Sequence, residues 1–269
     1  MAAKSGLASM KAVAKREART RPGVEVAGLS DVGCLRENNE DRYAYWEPAG
    51  REQLHEKGRL ALVADGMGGH EGGQEASRIA IDTVQEVYSN SKDGDTRSCL
   101  LAGFHSAHRR ILDYADKHPA LQGMGTTCTA VAVLGHELYY AHVGDSRLYL
   151  IREAGIYRLS RDHSYVGRLL EQGIISPEEA ASHPQRNILL MALGAGPEVA
   201  PESPEQAISL EARDVLLLCT DGLWSQVSDS EIKDAASAPS LKQTCRKLVE
   251  RAKERGGPDN ITVEALRIK

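Results

Sequence analysis

The sequence predicts an α+β fold, a layered sandwich of antiparallel sheets with helices packed outside them, and three observations predict it. Short apolar segments occur in neighbouring pairs joined by brief turns, as in Thr127–Leu134 followed by Glu137–Val143. Helix-period segments stand between blocks of strands rather than after every strand, which disfavours the alternation of a parallel sheet. Aromatic residues are only 4% of the 269 residues, so Leu, Val, Ile and Ala must build the core.

The N-terminal half adds two strands and two long helices to that strand pair. Val24–Leu29 and Leu60–Ala64 are apolar runs of strand length. Apolar residues recur at helical spacing over about 74–89, and again over 101–115 until Pro119 stops the pattern. We therefore expect two amphipathic helices in this half of the chain.

The C-terminal half also contains predicted strands, turns and a helix. Leu148–Arg152 follows the turn Gly144-Asp145-Ser146, which predicts a hairpin with Asp145 at its tip. The remaining predicted elements are a buried strand (Val215–Thr220), a helix (Leu241–Ala252, ended by Gly256-Gly257-Pro258) and a last strand (Ile261–Ile268).

The regular pattern breaks between Asp162 and Gly196. This segment, called the flap below, contains a short helix ended by Gly173. Ser176-Pro177-Glu178-Glu179 then has the form of a capping box with Pro at the first helical position, which predicts a second short helix. We expect a small mobile insertion on the main body, over about 162–196.

An N-terminal tail, residues 1–22, differs in composition from the rest. Six Lys and Arg residues occur there with one acid, Glu17, and Pro22-Gly23 closes the segment. A solvated, partly disordered tail is the favoured interpretation, and a docking arm for an acidic partner stays open. Residues 23–269 are expected to form a single domain.

Composition excludes several classes of protein. The net charge of −5 argues against nucleic-acid binding. The five cysteines are odd in number and include no C-x-x-C pair, which argues against a disulfide framework and against zinc. There is no apolar run of membrane-spanning length and no signal peptide, so the sequence favours a cytoplasmic protein without a membrane partner.

Acidic residues stand at the ends of apolar strands. Ala61–Gly66 and Leu216–Gly222 both end in Asp-Gly, at Asp65 and Asp221. A carboxylate at the rim of a core is unfavourable unless a positive charge lies beside it. A hard divalent cation satisfies several acids at once, because Mg²⁺ and Mn²⁺ prefer carboxylate, carbonyl and water oxygens. Glu40, Asp41, Asp145 and Asp259 are the other acids that could join such a site.

Seven motifs, in order from residue 30 to residue 262, resemble the metal-dependent protein phosphatase family (PPM, type 2C), and most closely its stand-alone bacterial branch. One motif alone is weakly specific, whereas all seven in order are highly specific. They are Ser30-Asp31-Val32-Gly33 with Arg36 and Asn39-Glu40-Asp41; Val63-Ala64-Asp65-Gly66-Met67-Gly68-Gly69-His70; Gly125-Thr126-Thr127; Val143-Gly144-Asp145-Ser146-Arg147; Asp162-His163-Ser164; Thr220-Asp221-Gly222-Leu223-Trp224; and Asp259-Asn260-Ile261-Thr262.

The resemblance implies the fold and the metal ligands. The family fold is a central β-sandwich with helices on both outer faces, in α-β-β-α layers, and 162–196 corresponds to its flap. The implied roles are Asp65 as the acid bridging two metal ions, the Gly66 carbonyl on the second ion, Asp221 and Asp259 on the first, Glu40 and Asp41 near the second, and Asp145 with Asp221 at a third, weaker ion.

The resemblance also implies the activity and its partners. It implies a serine/threonine protein phosphatase in which water activated between two Mn²⁺ or Mg²⁺ ions attacks phosphorus directly, with Arg36 clamping the phosphate. The implied partners are phosphorylated proteins and a cognate cytosolic Ser/Thr kinase, and a monomer is expected.

Two departures from the family pattern bear on this interpretation. Met67 stands where larger eukaryotic members place a histidine, so the general-acid role falls on His70 or on a metal-bound water. Gln74 stands where bacterial members often carry Glu; no ligand position is touched, and we interpret the change as structural.

Several alternatives remain open at the level of sequence. A regulatory module that binds phosphoprotein without turnover is the runner-up, and dephosphorylation of an anti-sigma antagonist is a third possibility. Taken alone, Arg36 is better explained as a surface ion-pair partner of Glu37 or Glu40. His163 is expected to brace the base of the flap, and Trp224 to pack in the core.

Overall fold

The structure, a computed structural model, describes residues 23–92 and 95–269, with the side chain of His70 outside the description. The prediction for the tail, residues 1–22, lies outside the described residues. The strands are β1 (Val24–Asp31), β2 (Arg42–Trp46), β3 (Arg59–Ala64), β4 (Gly66–Met67), β5 (Gly125–Thr126), β6 (Cys128–Leu134), β7 (Glu137–Val143), β8 (Arg147–Arg152), β9 (Gly155–Arg158), β10 (Ile208–Ser209), β11 (Val215–Cys219) and β12 (Ile261–Ile268). The helices are α1 (Arg51–Lys57), α2 (His70–Asn90), α3 (Thr96–Lys117), α4 (Tyr165–Glu171), α5 (Pro177–Ser182), α6 (Asp221–Trp224), α7 (Asp229–Ala236) and α8 (Leu241–Glu254).

Two five-stranded antiparallel sheets form the centre of the fold. One sheet has the strand order β1-β12-β11-β8-β9, and the other has the order β10-β7-β6-β3-β2. A short antiparallel ladder, β4-β5, lies apart from both. The predicted antiparallel sandwich is confirmed.

Three apolar layers hold the sandwich and its helices together. Ala61 and Val63 of β3 point into the layer between the sheets, where Leu266 and Ile268 of β12 also pack. The alternate residues of β3 pack against α2 and α3, and those of β12 pack against α7 and α8. Both faces of each central strand are therefore covered, which is why β3 from Leu60 to Ala64 and β11 read as continuous apolar runs.

The long helices match the predicted helical periodicity, and each extends beyond it. α2 begins at His70 and ends at Asn90, and α3 spans Thr96–Lys117 with Asp95 as its N-cap, accepting from the Ser98 amide at 3.1 Å. The sequence analysis did not predict β2, α1, β9 or α7. Edge strand β2 and helix α1 bury few apolar groups, so neither has the periodicity that a sequence pattern needs.

The predicted hairpin with Asp145 at its tip is wrong. β7 pairs with β6 and β10 in one sheet, whereas β8 pairs with β11 and β9 in the other. Residues 144–146 therefore carry the chain from sheet to sheet. Gly144 makes this possible because its φ of 108° lies in the region that favours glycine, and a Cβ there would collide with Thr127.

The flap contains the two predicted short helices, α4 and α5. Ser176 and Glu179 form the predicted capping box at the start of α5. An isolated bridge between Ser164 and Leu189 joins the two ends of the flap to each other, and a bridge between Leu193 and Thr126 attaches the flap to β5. All five cysteines are free. Among the described residues, no helix has both the length and the apolar character needed to cross a membrane.

Candidate metal centre

Five aspartates from distant parts of the chain converge at one end of the sandwich. Asp41 precedes β2, Asp65 lies between β3 and β4, and Asp145 lies in the turn between the sheets; Asp221 begins α6, and Asp259 precedes β12. The charges of the other four all act on Asp65. The structure therefore brings together acids that the sequence separates by as many as 218 positions, from 41 to 259.

Burial and mutual repulsion disfavour the charged forms of four of these acids, Asp41, Asp65, Asp145 and Asp221. Burial, followed by the neighbouring carboxylates, raises the pKa of Asp65 and of Asp145 well above the usual value. Burial raises the pKa of Asp41 to about 7 and that of Asp221 to about 6. Such a cluster is stable as carboxylates only when a positive charge joins it.

Two carboxylate oxygens in the cluster show how it fits a hard cation. Asp41 Oδ1 and Asp221 Oδ1 are buried and have no hydrogen-bond partner. Buried oxygens without a donor are rare, because each costs the full desolvation of the group. A divalent cation with oxygen ligands provides the missing partner, so the residues present fit Mg²⁺ or Mn²⁺.

Asp65 is held by the backbone and hydroxyls of the Gly125-Thr126-Thr127 motif. Its amide donates to Thr127 Oγ1 at 2.9 Å, and its carbonyl accepts from Thr126 Oγ1 at 2.8 Å and from the Thr127 amide at 2.9 Å. Thr127 Oγ1 also lies 2.8 Å from Ser146 Oγ, which ties the turn bearing Asp145 to Asp65. These contacts give the motif its structural reason.

Gly66 lies in a space that no side chain can share. A Cβ there would collide with the Gly73 carbonyl and would lie 2.8 Å from the Glu40 carbonyl oxygen. Glu40 is thereby placed against Gly66 and the first turns of α2, where Ser77 Oγ donates to the Glu40 carbonyl at 2.6 Å. The structure thus brings Glu40 beside Gly66, the residue whose carbonyl the family resemblance assigns to the same metal ion.

Asn260 and Thr220 connect the N-terminal loop to the C-terminal acids. Asn260 Oδ1 accepts from the Glu40 amide at 2.8 Å, and its Nδ2 donates to the carbonyls of Val32 and Asn38, both at 2.9 Å. Thr220 Oγ1 donates to Asp41 Oδ2 at 2.8 Å. The sequence analysis gave neither residue a role, although both stand beside a predicted ligand in a recognised motif.

Arg36 lies at the rim of the acid cluster. Its Nη2 donates to Asp259 Oδ2 at 2.8 Å, and half of its side chain is exposed. That contact, followed by the charges of the nearby acids, raises the pKa of Arg36. The surface ion pair expected for Arg36 taken alone is present, but the partner that the structure shows is Asp259; the charge of Glu40 also acts on the guanidinium.

The predicted role of His70 remains a prediction. His70 begins α2, and its side chain lies outside the described residues. Met67 packs on Gly125 and faces residues 189–192 of the flap, so it lines the boundary between the flap and the β4-β5 ladder.

A second cluster, His142, His163 and Glu202, has metal-ligand geometry but is already satisfied by hydrogen bonds. His142 Nδ1 lies 2.8 Å from Thr129 Oγ1, and its Nε2 donates to the carbonyls of Gly144 and Arg161 at 3.0 and 2.9 Å. Burial lowers the pKa of His142 to about 3 and keeps the ring neutral. A metal would have to break these contacts, so this cluster is structural.

His163 provides the predicted brace at the base of the flap. Its amide donates to the Gly144 carbonyl at 2.7 Å, and the Gly144 amide donates to His163 Nδ1 at 3.2 Å. Trp224 is only partly the core residue that was expected. Its ring packs against the outer apolar layer, but its Nε1 also donates to the Asp145 carbonyl at 2.9 Å.

An α-β-β-α sandwich with a buried carboxylate cluster at one end, suited to hard divalent cations, defines the class of protein. Within that class, the sequence profile described as Protein phosphatase 2C matches residues 36–262, and the chain belongs to this family.

Relatives of known name agree with that assignment. The chain is 37% identical over 246 residues to the serine/threonine protein phosphatase PstP of Mycobacterium tuberculosis, covering 91% of this chain and 45% of that protein. It is 35% identical over 244 residues to the protein phosphatase PhpP of Streptococcus pneumoniae, covering 89% and 96%. The chain therefore spans about half the length of PstP and nearly all of PhpP.

Solved structures show the same fold. The crystal structure of the Mycobacterium tuberculosis phosphatase PstP/Ppp superposes with a TM-score of 0.81 at 37% identity, covering 92% of this chain and 99% of that one. The catalytic domain of PstP in complex with two manganese ions gives a TM-score of 0.79 at 36% identity, covering 91% and 98%.

Proposed function

We propose that this protein is a metal-dependent protein serine/threonine phosphatase that hydrolyses phosphoserine and phosphothreonine. The observation that carries the proposal is the convergence of Asp41, Asp65, Asp145, Asp221 and Asp259 with two buried carboxylate oxygens left without a donor. The named relatives, which are serine/threonine protein phosphatases, support the same assignment.

The proposed ligands divide between two principal positions and a weaker third. Asp65 lies at the centre of the cluster, so its two oxygens suit a bridging role. Asp221 and Asp259 are the proposed further ligands of the first ion, and the Gly66 carbonyl, Glu40 and Asp41 those of the second; Asp145 with Asp221 would hold the third. When bound, two divalent cations supply a solvent nucleophile of lowered pKa and neutralise phosphate charge.

Arg36 is the proposed phosphate ligand. Its guanidinium is half-exposed at the rim and anchored by Asp259, so it can also reach a phosphate bound at the acid cluster. The planar fork donates to two phosphate oxygens at once and opposes the charge that builds up on them during displacement. His70 remains a candidate to protonate the leaving serine or threonine oxygen.

The cellular setting is also a proposal. Phosphorylated proteins are the substrates, and a Ser/Thr kinase that phosphorylates them is the functional counterpart. A monomer in the cytoplasm is the simplest arrangement, and the five free thiols agree with a reducing compartment. The runner-up, binding without turnover, would be signalled by a departure at a ligand position, whereas every acid proposed as a ligand is present in the sequence.

The test is phosphate release from a phosphothreonine peptide by the purified protein with Mn²⁺, and with Mn²⁺ plus excess chelator. We expect hydrolysis only with free metal. Asp221→Asn should lower the rate at least about a hundredfold, since even outer-shell changes cost 10–100-fold at metal sites. Asp82→Asn, an exposed residue of α2, is the matched control and should leave the rate unchanged. Tight phosphopeptide binding without phosphate release would establish the runner-up instead.

A further inference from the structure

Arg147 contacts both the flap and helix α6, which lie beside the turn that carries Asp145. Its Nε and Nη2 donate to the two oxygens of Asp162, at 3.0 and 2.7 Å, so the guanidinium clamps the first residue of the flap in a bidentate pair. Both side chains are largely buried, with exposed fractions of 15% and 6%. The sequence motifs contain both residues, but the proposed chemistry uses neither.

The same guanidinium lies flat against Trp224, with its central carbon 3.6 Å from the ring centroid. Trp224 is the last residue of α6, the helix that begins at Asp221. Its indole N–H donates to the backbone carbonyl of Asp145 at 2.9 Å. The stack therefore connects the helix that carries one acid to the turn that carries the other.

The backbone repeats this connection. Arg147 pairs with Cys219 across the β8-β11 ladder. Arg147 lies two residues after Asp145, and Cys219 lies two residues before Asp221. On the flap side, His163 and Gly144 exchange hydrogen bonds beside the Arg147–Asp162 pair. A guanidinium has five donors and a flat face, so it can contact three elements at one junction. A lysine ammonium cannot make this combination of contacts.

We propose that Arg147 is the positioning residue that sets Asp145 against Asp221, through Trp224 on one side and the flap residue Asp162 on the other. This inference rests on the proposed function, because the two acids matter as ligands of a divalent ion. Residues that hold metal ligands in position without touching the metal contribute to metal affinity, and changing them lowers that affinity about 10–100-fold.

The chain provides a matched control on the same strand. Arg152, at the other end of β8, makes the same bidentate pair with Asp214, at 2.9 and 2.6 Å, and Asp214 is also buried. It is remote from the five acids and from the flap. Arg147→Lys and Arg152→Lys therefore remove equivalent forks from buried aspartates, only one of which adjoins the centre.

The experiment is a Mn²⁺ binding isotherm, followed by calorimetry or by the EPR signal of free Mn²⁺, on the full chain and four variants. Asp145→Asn identifies the class of binding sites to which Asp145 contributes. We expect Arg147→Lys to weaken that class about tenfold and to leave the other classes as in the wild type. Arg152→Lys should match the wild type. Trp224→Phe, which keeps an aromatic ring but loses the N–H donor to Asp145, should weaken Mn²⁺ binding at the same class of sites by a smaller factor.

The outcomes separate the inference from the proposed function. If the wild type binds no Mn²⁺, both are overturned. If the wild type binds Mn²⁺ and hydrolyses phosphopeptide while Arg147→Lys binds like the wild type, or weakens every class of binding sites alike, only the inference is overturned. An Asp145→Asn isotherm identical to the wild type also overturns it. Should Arg147→Lys fail to fold, Trp224→Phe decides by the same criterion.

Discussion

Buried acids occur in two regions of this molecule, and the regions differ in what surrounds them. At the end of the sandwich, burial and neighbouring carboxylates raise the pKa of Asp41, Asp65, Asp145 and Asp221, and two carboxylate oxygens of the cluster have no donor. In the middle of the sandwich, Glu264 of β12 is buried alone, with 1% of its surface exposed, and accepts from the Leu62 amide of the opposite sheet at 3.2 Å.

Burial raises the pKa of Glu264 well above the usual value, as it does for Asp65. A raised pKa alone therefore does not identify a functional site. A lone buried carboxyl can take a proton and accept a backbone hydrogen bond, which satisfies it. A cluster of acids around unpartnered oxygens needs a multivalent cation, and that difference separates a ligand site from a structural acid.

The largest expected effect comes from Asp65→Asn. The amide keeps the size of the side chain but cannot bridge two cations, so phosphopeptide hydrolysis should fall at least about a hundredfold. Without metal, the variant should be at least as stable as the wild type, because a repelled carboxyl has been removed. Thermal unfolding with and without Mn²⁺ checks this: the wild type should gain stability from the ion by mass action, and the variant should gain much less. If Mn²⁺ stabilised the variant as much as the wild type, Asp65 would not be a ligand of the metal centre.

A smaller effect is expected from Arg36→Ala, which removes the cation at the rim of the cluster. The loss of a charge-assisted contact of about 1.5–3 kcal/mol should raise the KM for phosphopeptide by roughly tenfold to a hundredfold. Mn²⁺ affinity should stay the same or increase, because Asp259 loses a competing partner. Steady-state kinetics and Mn²⁺ titration separate the two effects. Arg78→Ala, which breaks exposed ion pairs on α2, is the control. If the rise in KM were matched by an equal loss of Mn²⁺ affinity, the result would contradict a role for Arg36 in binding phosphate.

The smallest expected effect is in the other region, with Glu264→Gln. Glutamine retains an acceptor for the Leu62 amide and cannot ionise. Because folding raises the pKa of Glu264, the folded state binds the proton more tightly, and wild-type stability falls as pH rises above about 4.5. The variant should match the wild type near pH 4.5 and exceed it at pH 8 by at least about 1 kcal/mol, close to one pKa unit. Chemical denaturation across that range measures the difference, and phosphatase activity should not change. A variant less stable at pH 8 would show that the charged form is favourable.

The sequence predicted most of the fold because the covered strands and long helices carry strong patterns. Leu60–Ala64 and Val215–Cys219 are apolar over their whole length, and α2 and α3 have clear helical periodicity. The flap helix α5 was predicted from its capping box alone. Patterns failed where an element is short or half-exposed, as in β2 and α1.

The site was predicted less evenly. The motifs picked out Asp65, Asp221 and Asp259, but they did not show that Arg36 contacts Asp259 rather than a neighbouring Glu. The turn at Asp145 was assigned to a hairpin, because a short loop between two strands usually joins neighbours in one sheet. Here the strands belong to different sheets, and that placement brings Asp145 to Asp221.

By itself, the sequence determined which residues carry charge, which segments bury both faces, and which motifs stand at their ends, because these properties are local in the chain. Only the tertiary structure decided that Asp41 and Thr220, 179 positions apart, share a hydrogen bond, and that Arg147 joins the flap to two acids. Such contacts depend on how two sheets pack and cross, and the free energy of that packing belongs to the whole core rather than to any one segment.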